Sequence, residues 1–295
     1  MAPAWTPSPD GFAKRSFSNP ERAGRDGFLA LRFDRRLGRT ALAQCRFKLP
    51  LQALIPTELP DDTAYLMLLN PTGGLVGGDF LLTDISQEAD TRVCLTTPSA
   101  TRVYRTLHQP ARQETRIQMG EGAFLEYLPD HVIPYRGSKL QQSLHVDMSH
   151  GSRAIIWDAL AAGRVSCGER WNFHEVDSRL EIFLRGEPVF LNRTRIRPAE
   201  LDLQRLGLAE GFDYLATLAI VADGFTAWKE TLAAMNAALE NMPQILGGAS
   251  ALAKGGCIVK FLARAASDLM SAQAELWGRV RQVVFGSPVI SLRKY

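Results

Sequence analysis

Cysteine is scarce in this chain, and no two cysteines are close in sequence. Cys45, Cys94, Cys167 and Cys257 lie 49, 73 and 90 residues apart, which excludes zinc-knuckle and redox-pair spacings. Four cysteines are too few to staple 295 residues, so free thiols in a reducing compartment are expected. Long hydrophobic runs are also missing, and none reaches the ~20 apolar residues that a membrane span requires. The opening MAPAWTPSPDGFAKRSFSNP has no apolar signal-peptide core, being broken by Pro3, Pro7 and Pro9. A cytoplasmic protein is expected. Charge of one sign is not in excess either, with 34 Lys and Arg against 31 Asp and Glu. The basic surplus falls in the first forty residues (Lys14 to Arg39) instead of striping a folded face, so nucleic acid is not an expected partner.

The usual signatures of catalysis and nucleotide binding are missing as well. GGLVGGD at 73–79 has the glycines of a phosphate cradle, but a P-loop needs Lys and Ser/Thr next. Asp79 and Phe80 follow instead, and a carboxylate there repels phosphate. GGASALAKGG at 247–256 is a second near miss, and both stretches read as tight turns needing positive φ. There is no G-x-S-x-G elbow and no H-E-x-x-H. Asp79, Asp84, Glu126, Asp158 and Glu169 could supply an acid/base pair, yet their separations give no sign that two converge. For metals, His145 and Asp147 could present two ligands from one strand face, joined by His150. Asp130 with His131 forms a second weak pair, and a solvated strand edge explains such pairs more simply. The residues alone do not indicate an enzyme.

What is present is an ordinary globular composition, 46% apolar and 22% charged, enough for a full-sized core. Residues 1–25, rich in Pro, Ser, Gly and Arg, read as a tail. Residues 26–295 read as one domain, with a β-rich body over 26–200 and an α+β cap over 201–295. In SLHVDMS (143–149) the residues Leu144, Val146 and Met148 share one face. RLEIFLR (179–185) alternates likewise, and Gly186-Glu187-Pro188 should turn it into a hairpin. FDYLATLAIVA (212–222) and GCIVKFLA (256–263) read as strands. Helical spacing runs through Trp228, Leu232, Met235 and Leu239, and again through Leu269, Ala272, Leu276, Val280 and Val283, with Gly286 closing the second helix. The Met and Trp residues of these stripes read as core.

A weak internal echo also exists. ADTRVCLTTP (89–98), EGAFLEYLPD (121–130) and HGSRAIIWDA (150–159) each begin with a turn, and Asp90, Gly122 and Gly151 are spaced 32 and 29 residues apart. A repeat of this length suggests stacked or coiling sheets, although ordinary strand punctuation explains three loose copies at least as well.

Four dense blocks carry a more specific signal: NPTGGLVGGD (70–79), TTPSATRVYRT (96–106), LEYLPDHVIPYRGS (125–138) and WDALAAGRVSCGE (157–169). In order and separation they resemble the urease accessory protein family UreD, also called UreH, from about Leu37 to the Trp277 helix. Phe80 departs from the pattern, which has a basic or polar residue after GGD. The resemblance implies a mainly β (α+β) fold of β-helix-like stacked sheets with a small C-terminal element of about two helices. It implies a scaffold, not an enzyme, that meets apo-urease and recruits UreF and the GTPase UreG. Nickel would pass transiently through a water-filled path, with no tightly bound cofactor. On that reading Asp79, Glu126 and Glu169 are the candidates for the path, Asp79 and Glu169 foremost because both put a charge inside an apolar or glycine-rich motif; pairing with a neighbouring arginine such as Arg164 or Arg105 to fix a turn is the competing role for those two. His145, Asp147 and His131 remain weak metal candidates. Tyr104, Arg105, Tyr127, Tyr135 and Arg164 are expected to shape the fold or a partner surface. The alternative reading is a β-rich hydrolase or sugar-binding module with a carboxylate-lined cleft.

Overall fold

A computed structural model describes residues 26–291, so the expected tail, 1–25, lies outside the described residues. The chain opens with a hairpin, β1 (Asp26–Arg36) and β2 (Arg39–Lys48), followed by the short β3 (Gln52–Ala53), β4 (Thr57–Glu58) and the longer β5 (Ala64–Leu69). It then coils. β6 (Phe80–Gln87), β7 (Arg92–Thr96) and β8 (Thr101–Val103) form one coil, and β9 (Ala111–Met119), β10 (Phe124–Leu128) and β11 (Val132–Pro134) the next. β12 (Lys139–Met148), β13 (Arg153–Ala161) and β14 (Glu175–Leu184) continue the path.

Successive coils stack in parallel. Phe80 pairs with Arg112 and Ala111 with Leu140, so the coils are offset by the same 32 and 29 residues that separate the echoed turns. The turns stack too: Asp90 N–H donates to Glu121 O at 2.8 Å and Gly122 N–H to His150 O at 3.0 Å. Asp90, Gly122 and Gly151 all have positive φ. A Cβ on Gly122 would sit 2.3 Å from Asp90 Oδ1, so the stack itself requires glycine there. The weak echo is therefore a true structural repeat, faint in sequence because only its turns are constrained.

The C-terminal segment extends the second sheet. β16 (Tyr214–Ala222) pairs antiparallel with β13, and β18 (Gly256–Ala263) and β17 (Ile245–Ala251) follow beyond it. One sheet runs β15-β14-β12-β9-β6-β1-β2, where β15 is Glu187–Ile196, and the other β17-β18-β16-β13-β10-β7-β5-β3. Helices α1 (Trp228–Glu240) and α2 (Ala266–Val280) cover the outer face of the second sheet. That sheet is thus the middle of three layers. Leu125, Ala154 and Ile156 face the first sheet, while Ile155, Trp157 and Ala159 face the helices. Burial on both faces explains why β13 and β16 read as near-continuous apolar runs instead of alternating.

Three local expectations need correction. The β14–β15 turn is Arg185-Gly186, at φ 54° and 76°, a two-residue connection whose twist suits a hairpin; Pro188 lies inside β15, at a register irregularity. Gly247 and Gly248 are not in a turn but in β17. A Cβ on Gly247 would come 2.3 Å from Phe261 Cβ, so close approach of strands, not positive φ, selects that glycine. After Val280 the helix widens into a π-turn over Arg281–Phe285. The wider turn shifts the register, leaving Val283 47% exposed while Val284 and Phe285 are buried.

Candidate functional site

The four sequence blocks meet on one side of the coil stack. Leu75 bridges Val103 in parallel, Thr101–Val103 pairs with Val132–Pro134, and Val132 pairs with Leu160. The GGLVGGD loop closes on itself: Asp79 Oδ2 accepts from Val76 N–H at 2.8 Å, and Asp79 N–H donates to Val76 O at 3.1 Å. Asp79 is 6% exposed. Gly73 and Gly78 take positive φ, but Gly74 is needed for space. A Cβ there would lie 2.5 Å from Arg102 O and 2.7 Å from Tyr104 Cε2.

Beside this loop, four expected residues form one cluster. Tyr104 and Tyr135 meet edge to face, with centroids 5.1 Å apart. The Arg164 guanidinium lies 4.6 Å over the Tyr135 ring, and its Nε donates to Glu169 Oε2 at 2.8 Å. Arg136 N–H also reaches Glu169 Oε2, at 3.4 Å. The hydrogen bonds from Arg164 hold the Glu169 carboxyl below its ordinary range. Arg105 is exposed and lies against Gly137.

Glu126 lies elsewhere. It faces the helices, where Trp277 Nε1 donates to Oε2 at 2.5 Å and the Arg281 guanidinium donates to Oε1. Burial pushes the Glu126 carboxyl up, and Arg281 opposes that shift. His145 and Asp147 stand on the outer face of β12, which is internal to its sheet and not an edge. His145 Nε2 is 3.0 Å from Asp147 Oδ2, and Nδ1 is 3.5 Å from Glu181 Oε2. His131 packs edge-on to Tyr214 at 5.4 Å. Among the described residues, no three His, Cys, Asp or Glu side chains converge in metal-binding geometry.

Between the two sheets lies a pair of adjoining cavities, a candidate passage that no motif announced. Its first cavity, about 130 Å³, starts at Asn70, Gly73, Gly74 and the Thr97–Thr101 loop and continues past Thr83, Thr115 and Tyr127 to Asp158. The second cavity, about 260 Å³, is lined by Thr194, Thr217 and Lys260 among others. Gln142, Asp158 and Ser178 border both cavities. At this junction Gln142 Nε2 donates to Asp158 Oδ1 at 3.2 Å and to Ser178 Oγ at 2.8 Å. Ser178 Oγ lies 3.4 Å from Asp158 Oδ2. Burial pushes the Asp158 carboxyl up, against the pull of these hydrogen bonds. Tyr127 shares a hydrogen bond with Thr115, and burial raises its phenol too.

The sequence matches a known family. A family model described as "UreD urease accessory protein" covers residues 25–294. The chain belongs to this family. A urease accessory protein UreD from Deinococcus radiodurans is 35% identical over 280 residues, covering 92% of this chain and 96% of that relative. Another from Herpetosiphon aurantiacus is 33% identical, covering 88% and 93%, and one from Mycolicibacterium gilvum is 34% identical, covering 83% and 89%. Each is named an accessory protein, so a role in urease maturation follows from membership of the UreD family. No helix among the described residues is long and apolar enough to cross a membrane.

Placement sorts the expected residues. Tyr104, Tyr135, Arg164 and Glu169 come together beside the Asp79 loop, and Tyr127 lines the passage. Asp79, Glu126 and Glu169 do not converge on that passage; its carboxylates are Asp158 and Asp130. The sequence did carry a signal for it. Gln113, Thr115, Gln142 and Ser178 are polar residues at inward-facing strand positions, where a packed core would hold apolar ones.

Proposed function

We propose that this chain is the scaffold of a urease-maturation complex. It docks on apo-urease together with a UreF partner and the GTPase UreG, and nickel released by the GTPase crosses the passage between the sheets. The observation that carries this reading is the pair of adjoining cavities inside an otherwise apolar core, with Asp158, Gln142 and Ser178 bordering both. Its lining offers carboxylate, amide, hydroxyl and phenol oxygens. Such donors hold nickel weakly compared with imidazole or thiolate, which suits a cargo that must move on. The loop built on Asp79 and the Tyr104–Tyr135–Arg164–Glu169 cluster shape the mouth, since Gly73 and Gly74 border the passage and touch Tyr104. GTP hydrolysis belongs to the partner, and this chain acts without catalysis of its own. Family membership supports this reading over a carboxylate-cleft hydrolase.

The test is urease purified from cells lacking this chain. Urease with little nickel and little activity, restored by re-expression of the chain, is the expected result. Fully active, nickel-replete urease without it would overturn the proposal.

A further inference from the structure

Two polar rows face each other between the sheets, and both run toward the same end of the molecule. In the second sheet the row is Asp158, Thr217 and Lys260, side by side in register on β13, β16 and β18. In the first sheet it is Gln113, Gln142, Ser178 and Thr194, in register on β9, β12, β14 and β15. Two strand spacings, about 10 Å, separate Lys260 from Asp158 along their row. The outer end is open to solvent, since Lys260 and Leu246 line the second cavity and both are exposed. There Lys260 crosses from one sheet to the other, its Nζ donating to Asn192 Oδ1 on β15 at 2.7 Å. The acceptor is a neutral amide, so the bond holds the ammonium at the rim without cancelling its charge. Lys254, just before β18, differs in pairing with the Glu187 carboxylate. Among the described residues lining the second cavity, Lys260 is the one base and Asp158 the one acid.

We propose that Lys260 is a charge gate at this opening and keeps free cations out of the second cavity. The inference deepens the nickel reading of the cavities and rests on it. Between low-dielectric walls, a fixed ammonium repels an entering cation far more than it would in open water. The gate thus shields Asp158, at the inner end of the row, from stray metal ions. A metal ion crosses this end only where a carboxylate of a docked protein neutralises Lys260. The bond to Asn192 suits that exchange, because a carboxylate is a stronger acceptor for an ammonium than an amide oxygen.

The test labels a thiol placed behind the gate. Thr217→Cys is made in the full chain with the exposed Cys45 and Cys167 changed to Ser. The chain is treated with cationic aminoethyl methanethiosulfonate or with neutral methyl methanethiosulfonate. In each case the thiolate attacks the sulfenyl sulfur, a disulfide forms and methanesulfinate leaves. Rates are divided by those of the same reagents with free mercaptoethanol, and the cationic-to-neutral ratio cancels changes in the thiol's own reactivity. Lys260→Gln should raise that ratio at least roughly tenfold. Lys260→Glu should raise it further, and Lys260→Arg should leave it low. If Thr217→Cys does not fold, Thr194→Cys on β15 carries the same comparison. A ratio indifferent to the charge of this side chain, or a thiol that the neutral reagent does not reach, would overturn the gate. Neither result involves nickel, so both are distinct from failure of the nickel reading, which shows in urease from cells lacking this chain.

Discussion

Arg281 sets its guanidinium against the Glu126 carboxylate although 155 residues separate them in sequence. Arg281 is 0% and Glu126 2% exposed. The same guanidinium reaches Asp61 Oδ2 at 2.6 Å and Pro288 O at 2.8 Å. This ion cluster ties the C-terminal π-turn to the centre of the middle sheet. Removing one partner leaves a buried charge uncompensated, which costs about 3–5 kcal/mol. Arg281→Met should therefore lower the denaturation midpoint steeply, and adding Glu126→Gln should recover part of the loss. Equal midpoints for Arg281→Met and the wild type would contradict the arrangement.

Asp158 should behave in the opposite way. Burial raises its carboxyl above the unfolded value of 3.8, so the folded chain holds the proton more tightly than the unfolded one. Stability contributed by this group is then present at low pH and is lost as pH rises through the folded pKa. Asp158→Asn removes that loss and should raise the melting temperature at pH 7, with a smaller gain near pH 4. A lower melting temperature at pH 7 would mean that the carboxylate serves the fold and not the passage.

His145 gives a second pH signature of the same sign, in a higher pH window. Its hydrogen bond to Asp147 leads the causes that raise its pKa above 6.5, and Glu181 adds to it. On the neighbouring strands Arg116 pairs beside it in register and Arg179 lies next to Glu181. A raised histidine contributes stability that is full below its unfolded pKa and is lost as pH rises through the folded pKa. His145→Gln should cost stability at pH 5.5 and little at pH 9. The effect is small, because the side chain is 36% exposed. Equal melting curves at both values of pH would sink the assignment.

The GGLVGGD loop makes a steric prediction. Gly74→Ala places a methyl group 2.5 Å from a backbone oxygen, which cannot move as a flexible side chain would. Gly78→Ala meets no atom within 4 Å but carries φ 87°, which strains alanine by about 1–2 kcal/mol. Thermal denaturation should rank Gly74→Ala as the more damaging. The reverse order would show that positive φ governs this loop.

Much of this fold was legible in the strands, because alternation in SLHVDMS and RLEIFLR records one buried face and one wet one. The helices were legible for the same reason, until the π-turn moved Val283 outward. The coil repeat was nearly hidden, since only the turn residues Asp90, Gly122 and Gly151 are held to type. The passage was hidden more deeply. Asp158 was visible only as one carboxylate among five, and Gln142 and Ser178 are ordinary residues until the parallel register sets β12 beside β14 and aims both side chains at β13. Glu126 misled for a related reason. A lone charge in an apolar strand signals a special environment, but its partner Arg281 was too distant in sequence to be found.

The most direct measurement is the nickel content of urease matured with a chain whose passage is blocked at its junction. Ser178→Leu fills that point with a side chain like those of its neighbours Leu144 and Leu180. In cells where this variant assembles with apo-urease as fully as the wild type, nickel per active site should fall severalfold. Urease carrying its full nickel complement behind a blocked passage would contradict the account.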